Sequence, residues 1–369
     1  MNIFNNIKEI ETICHAGAEA RVFSGVGIGV ATGTKEARQQ AKIFCGATRH
    51  EGGQQVDQTT LFDLASLTKP LATTLLLLTL IQEGVIAPED PVARFFADAP
   101  TDKAGITLRE LLCHCSGLAA YQPYYKTLSS EPPATRKATL CRTILAEPLQ
   151  YSRGTKAVYS DLGFLLLGMV VEEVSGKRLD VLFQERIAMP LGLAETLFFN
   201  QDNLPRPGHY AATEFCPWRG RLLAGEVSDE NCFALGGVAG HAGLFGTTTA
   251  VLTLIEAIHD LWLGEASPLA INPGNLQDFV IRQPTPGSTW ALGFDTPSAS
   301  GSTSGHFFSP RSVGHLGFTG TSFWIDPDQH VMVVLLTNRV HPSRENNTIK
   351  AFRPALHDAV MRGLGLANQ

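Results

Sequence analysis

Apolar residues recur at Ile3, Ile7, Ile10 and Ile13, three or four positions apart, which predicts a helix over residues 3–20. The period then changes. Residues 22–30 and 42–48 are rich in β-branched and small side chains and are separated by glycine and charged positions, so both read as strands. Residues 59–64 read as a short third strand. From Leu67 the pattern turns helical, with one strongly apolar helix over 67–83 closed by Gly84. A second helix is predicted over 107–115, because Thr107 and Glu110 stand at capping-box spacing. Further helices are expected at 135–146, 161–174 and 179–187, separated by Pro- and Gly-rich connections. Residues 236–246 are glycine-rich, 248–263 are helical in pattern, and 284–305 are a Pro, Ser, Thr and Gly loop. Strands are predicted at 312–317, 322–326 and 331–338, with Pro327-Asp328 turning the chain between the last two. A final helix covers about 348–364.

Strands thus lie near both ends of the chain and helices fill the middle. Strand backbone groups need partners, and the simplest arrangement is one mostly antiparallel sheet built from both chain ends. The expected fold class is α/β plus all-α: that sheet flanked by helices, with an inserted helical lobe. The division expected is 1–66 with 285–369 as the sheet domain and 67–284 as the mainly helical lobe and cleft loops. A cleft between lobes is a common place for a small-molecule site.

Composition narrows the function. The chain has 369 residues, 44% hydrophobic and 17% charged, enough for a substantial core. The net charge of −6, without a long run of one sign, argues against a nucleic-acid binder, which needs a basic face for phosphates. The first ten residues lack the basic start, apolar run and small-residue cleavage site of a secretory signal. The apolar stretch 71–81 is too short to span a bilayer. The expectation is a soluble cytoplasmic protein with no membrane partner. Seven cysteines, an odd number, do not suggest a disulfide framework. Cys113-His114-Cys115 is the one tight cluster. On a helix these neighbours point in different directions, and no second ligand pair follows at zinc spacing, so no metal is expected.

The candidate chemistry starts at Ser66-Leu67-Thr68-Lys69, the one Ser-x-x-Lys in the chain, at a strand-to-helix junction. Residues three apart on a helix share a face, so the Ser66 hydroxyl and Lys69 amine can touch. A serine alcohol needs a base to become a nucleophile, and lysine serves if burial or a neighbouring cation lowers its pKa. Tyr159-Ser160-Asp161 precedes another apolar helix. Tyr159 is a candidate proton-transfer group, although a capping Ser160 or Asp161 beside a packing tyrosine explains the same residues. His315-Leu316-Gly317 lies on a predicted strand. His315 is a candidate donor or cation for steering a substrate carboxylate, and Gly317 lets a substrate approach the backbone. The same His- or Lys-x-Gly pattern also occurs at His15, Lys103 and His241, so alone it is weak. The 236–246 segment lacks the Lys-Ser/Thr ending of a phosphate loop, and His241 within it reads as structural.

Taken in order, these three elements resemble those of the penicillin-recognising serine hydrolases: class C β-lactamases, D,D-carboxypeptidases and related esterases. That family carries Ser-x-x-Lys, then Tyr-x-Asn, then Lys- or His-x-Gly. The surroundings are similar too. Phe62-Asp63-Leu64-Ala65-Ser66-Leu67-Thr68-Lys69-Pro70 resembles the family's nucleophile segment, and Leu108 to Leu118 its His-Thr-Ser-Gly-Leu segment, with Cys115 in place of threonine. The likeness covers roughly 20–365. It implies that Ser66 forms an acyl-enzyme, that Lys69 and Tyr159 share its proton, and that the Ser66 and Phe318 N–H groups make the oxyanion hole. It places His315 opposite the Ser66 helix, puts Asp161, Gly317 and Phe318 against the substrate, and implies no cofactor. Two departures bear on substrate. Asp161 replaces an amide, and its charge favours a protonated Lys69. His315 replaces lysine, which makes the charge there pH-dependent. The expected function is therefore hydrolysis of small esters or amides. A β-lactamase or D,D-peptidase proper, and an inert binding member of the fold, are the alternatives.

Overall fold

The computed structural model describes residues 7–367. The start of the first expected helix, with Ile3, lies outside them. Its remainder forms Ile7–Glu19.

A five-stranded antiparallel sheet runs in the order Gln39–Gly46, Gly25–Thr32, Val331–Thr337, Ser322–Asp326, Val313–Leu316. The central strand shows why a continuous apolar run forms a strand here. Val331, Val333 and Leu335 point to one face and join Ile10, Phe352 and Leu356 from the two terminal helices, Ile7–Glu19 and Ile349–Gly363. Met332, Val334 and Leu336 point to the other face and join the main core with Leu252 and Ile255 of the helix Thr248–Trp262. Both sides are covered, so the period-2 alternation is between two apolar environments. Each such side chain contributes about 1.5–3 kcal/mol on burial. Gly27, on the neighbouring strand, lets the Thr248–Trp262 helix approach: a Cβ there would stand 2.2 Å from Thr248 Oγ1.

The middle of the chain is mainly helical, as the pattern indicates, with three differences. The expected 67–83 helix begins irregularly, with a tight turn at Ala65–Leu67 and a wide turn at Lys69–Thr74 before the regular helix Leu75–Gln82. Pro70, which has no N–H to give to the ladder, sits in that wide turn. The run Ala65–Gln82 has a mean hydropathy of 1.2 over 18 residues and is 83% buried inside the fold, so it is a core element. The expected 107–115 helix keeps its Thr107/Glu110 capping box but stops at Leu112, because His114 turns the chain with φ 59°.

The third difference is the strand expected at 59–64. Thr60–Asp63 is a strand, but it is not in the main sheet. It pairs antiparallel with Leu244–Gly246 and parallel with His209–Tyr210, and Leu197–Phe199 completes this second, small sheet. All four residues of Thr60–Asp63 are buried. Its partners are two or three residues long, below the length at which alternation is visible in a sequence.

Candidate active site

The small sheet delivers the nucleophile. After Asp63 the chain turns through Ala65, whose φ of 48° is in the left-handed region that a side chain disfavours. The turn is held from several sides. Asp63 Oδ1 accepts the Ala65 N–H at 2.8 Å, Leu64 N–H donates to Leu244 O at 2.9 Å, and Thr319 Oγ1 donates to Asp63 O at 2.8 Å. Strain pinned in this way at one residue is common where a side chain must be presented for reaction. Ser66 emerges at the head of the helical segment, beside the edge strand Val313–Leu316.

Lys69 is fully buried one turn along. Its ammonium donates to Ser66 Oγ at 3.0 Å, to Asp161 Oδ1 at 2.7 Å and to the His241 carbonyl at 3.2 Å. Tyr159 interacts through its hydroxyl with both Lys69 and Ser66, and its ring centroid lies 4.8 Å from Lys69 Nζ. Asp161 begins the helix Asp161–Ser175, whose N-cap is Ser160, so one helix terminus positions both Tyr159 and Asp161. The structure thus brings Ser66, Lys69, Tyr159 and Asp161 together.

The protonation states differ from what a free lysine base requires. Burial pulls the Lys69 pKa down, but the Asp161 charge, with Tyr159, outweighs it, and the net shift is upward. Lys69 rests as an ammonium, so the lowering that would free it as a base does not occur in the resting site. Burial pushes the Tyr159 pKa up, against the pull of Lys69, so Tyr159 rests as a phenol.

His315 stands on the edge strand 5.9 Å from the Tyr159 ring, centroid to centroid. Its Nδ1 faces the Leu316 carbonyl at 2.8 Å, which makes Nδ1 the protonated nitrogen. Burial, then the charge of Lys69, lowers its pKa to about 3. The expected cationic role of His315 is therefore corrected: at neutral pH it is an uncharged imidazole. Gly317 lines a cavity together with Ser66, and its missing side chain also serves packing. The space a Cβ would need is filled by the protein itself, with Thr321 Oγ1 at 1.9 Å and Leu64 O at 2.7 Å. Its bareness brings the edge strand against the nucleophile turn. Phe318 is about half exposed, at 49%, with the Arg339 guanidinium 4.5 Å from its ring.

Two cavities meet at Ser66, Tyr159 and Phe318. One, of about 350 Å³, is lined by Tyr121, Asp161, Asp229, Glu230, His241 and Arg344. The other, of about 320 Å³, is lined by Trp290, Asp295, His315, Arg339, Lys350 and Arg353. In the first, His241 Nε2 pairs with Asp229 Oδ1 at 2.9 Å. Burial pushes Asp229 up, but His241, the Cys232 N–H and Lys69 outweigh it and hold the carboxyl at about 2. His241 thus shapes the cavity through its carbonyl on Lys69 and its ring on Asp229. Sequence reasoning missed Trp290, which stacks on Tyr159 at 5.4 Å, and His114, whose ring lies 4.7 Å from Tyr159. Trp290 lies within the 284–305 loop, where no periodicity marks it, whereas His114 stands in a segment whose family likeness could have flagged it. Among the described residues no group of three or more His, Cys, Asp or Glu side chains is arranged to hold a metal ion.

A serine hydroxyl held against a buried lysine, at the head of a helical segment beside the edge of the main sheet, defines a serine hydrolase. The model of the β-lactamase family matches residues 10–355, and the chain belongs to that family. It is 34% identical over 330 residues to a putative D-alanyl-D-alanine carboxypeptidase of Escherichia coli (strain K12), covering 83% of this chain and 75% of that protein. Three solved structures share the fold. EstCE1, a hydrolase with promiscuous acyltransferase activity, is 20% identical with a TM-score of 0.74, over 96% of this chain and 98% of that one. The octameric penicillin-binding protein homologue from Pyrococcus abyssi is 18% identical with a TM-score of 0.74, over 98% and 78%. Simvastatin synthase from Aspergillus terreus is 19% identical with a TM-score of 0.72, over 97% and 98%.

Proposed function

We propose that this serine hydrolase cleaves small carboxylic esters or amides through an acyl intermediate on Ser66. The observation that carries the assignment is the 3.0 Å contact between Ser66 Oγ and the buried Lys69 Nζ, at the junction of two cavities. Attack requires the Ser66 proton to leave. Lys69 accepts it only as an amine, and its ammonium can pass a proton to Asp161 at 2.7 Å. The Tyr159 phenol, in reach of both Ser66 and Lys69, then protonates the leaving group. The Ser66 and Phe318 N–H groups are the proposed oxyanion donors. The neutral His315 offers no charge to a carboxylate, which favours uncharged esters over penicillins.

A second reading has its own support. Arg339, Lys350 and Arg353 line the cavity beyond His315, which suits a substrate ending in a carboxylate, such as a D-alanyl peptide. The experiment is a panel of p-nitrophenyl esters, nitrocefin and D-alanyl-D-alanine peptides, run on wild type and Ser66→Ala. Ester turnover lost in Ser66→Ala, with slow nitrocefin turnover, is expected. Rapid nitrocefin or peptide cleavage overturns the ester preference, and turnover retained by Ser66→Ala overturns the nucleophile. Wild type that takes no fluorophosphonate adduct by intact mass would instead be an inert member of the fold.

A further inference from the structure

The Cys113-His114-Cys115 segment does not have the geometry that a helix would give it. The helix ends at Leu112 and His114 takes a φ of 59°. This turn brings the two flanking side chains to the same side, with Cys113 Sγ and Cys115 Sγ 3.2 Å apart. Among the described residues no cysteine is disulfide-bonded. The hydrogen bond from the Cys113 thiol draws the Cys115 pKa down to about 7, and the same bond pushes Cys113 up. Cys115 is therefore the nucleophilic member of the pair. It also interacts with the Thr285 side chain.

His114 ties this pair to the reaction centre. Its carbonyl accepts the Val158 N–H at 2.9 Å and the Tyr151 hydroxyl at 3.1 Å, and its Nδ1 accepts the Ser160 N–H at 3.1 Å. Its ring packs on Tyr159 and, at 4.5 Å, on Trp290. The backbone on both sides of Tyr159 thus hangs on the residue between the two cysteines.

We propose that Cys113 and Cys115 are a reversible dithiol–disulfide couple, oxidised by hydroperoxides, and that closing the disulfide slows the hydrolase by displacing His114 against Tyr159. The Cys115 thiolate attacks one peroxide oxygen and the O–O bond breaks. That gives a sulfenic acid on Cys115 and, from hydrogen peroxide, one water. Cys113 sulfur then attacks the Cys115 sulfur, the S–O bond breaks, and the hydroxyl leaves with the Cys113 proton as a second water. Two thiols are oxidised by two electrons and one peroxide is reduced to two waters. The S–S distance must shorten from 3.2 Å to about 2.05 Å. His114, which lies between the two cysteines, takes up that movement.

The test treats reduced, full-length protein with stoichiometric hydrogen peroxide. Intact mass is expected to fall by about 2 Da, and the proteolytic peptide carrying both cysteines by the same amount. Hydrolysis of a short p-nitrophenyl ester is expected to drop at least fivefold and to recover with dithiothreitol. Cys113→Ala is expected to retain basal activity and to lose the reversible response. An unchanged mass, a mass gain of sulfinic or sulfonic acid, or a disulfide that leaves turnover unaltered would each overturn the proposal. The gating part rests on the hydrolase reading above, but the mass of the peptide does not. A protein that forms the disulfide and hydrolyses no ester tested would count against the gating, and labelling of Ser66 by a fluorophosphonate would then show whether the nucleophile reading fails as well.

Discussion

At the residue scale the centre is governed by one ion pair. Asp161 sits 2.7 Å from Lys69 Nζ, and the lysine is fully buried while the Asp161 side chain is 19% exposed. An ammonium in such a place is kept charged by its partner. With Lys69 raised above its ordinary value, the amine form grows as pH rises. The wild-type kcat/KM for a neutral ester is therefore expected to climb through pH 7–9 without a plateau. Asp161→Asn removes the charge but leaves a carbonyl to accept the hydrogen bond. The climb is expected to move down by about one pH unit or more, one unit being about 1.4 kcal/mol of charge interaction. A profile that does not move would mean that Asp161 is not what keeps Lys69 protonated. His315 gives a separate expectation. With its pKa at about 3, its imidazole signals in an NMR titration should stay those of a neutral ring from pH 8 to pH 5. An inflection near pH 6 would return it to the cationic role.

At the scale of elements, the close approach of the edge strand to the nucleophile turn is the critical contact. Gly317→Ala would place a Cβ against Thr321 Oγ1 and the Leu64 carbonyl, so either the strand or the turn must move. Overpacking of this kind costs about 1–3 kcal/mol. The expected result is a lower denaturation midpoint together with a loss of ester turnover at least tenfold, because Leu64 precedes the Ala65-Ser66 turn. A variant with wild-type kcat would show that the contact does not position Ser66. The same element explains what a reader of the sequence sees and misses. The five main strands and the longer helices were legible, because the alternation of Val331 to Leu336 and the spacing of apolar residues persist over whole elements. Ser66 and Lys69 were legible from their helical spacing, whereas Tyr159 and Asp161 joined them only through the resemblance to the penicillin-recognising serine hydrolases, since capping and packing explain those two residues equally well. The small sheet under Ser66 was not legible, since its partners Leu197–Phe199 and Leu244–Gly246 are only three residues long, too short for an alternation to show. The convergence of Cys113 and Cys115 was also hidden, because it depends on the left-handed turn at His114, a residue that carries no local signal for it. The charge states of Lys69 and His315 depend on burial and on partners far along the chain, which spacing cannot report.

At the scale of the whole molecule, buried histidines make the fold sensitive to acid. His259, His315 and His357 are almost fully buried, and burial first of all lowers their pKa values to about 4, 3 and 4. Neighbouring cations add to this: Arg38 at His259, Lys69 at His315 and Arg353 at His357. The folded state holds these rings neutral, while the unfolded chain protonates them below about 6.5. Their contribution to stability is thus fully present above that pH and is lost as pH falls toward the folded values. Between pH 7.5 and 5 the loss is about 2 kcal/mol for each ring. Two carboxyls act in the opposite sense. Burial raises Asp63 and Asp295 to about 6, so the folded protein takes up their protons first, and each gains about 1.4 kcal/mol as pH falls from 7.5 to 5. These three rings outweigh the two carboxyls, and the buried His114, whose pKa burial also lowers well below the ordinary value, adds to their side; denaturant melts at pH 7.5, 6.0 and 5.0 should show stability declining by about 3 kcal/mol or more over that range. His357→Gln, which removes one ring while keeping a donor for the Thr303 carbonyl that His357 Nδ1 meets at 2.8 Å, should flatten the decline whatever it does to stability at pH 7.5. Stability that holds level or rises toward pH 5 would show that the carboxyls, and not the histidines, set the acid response.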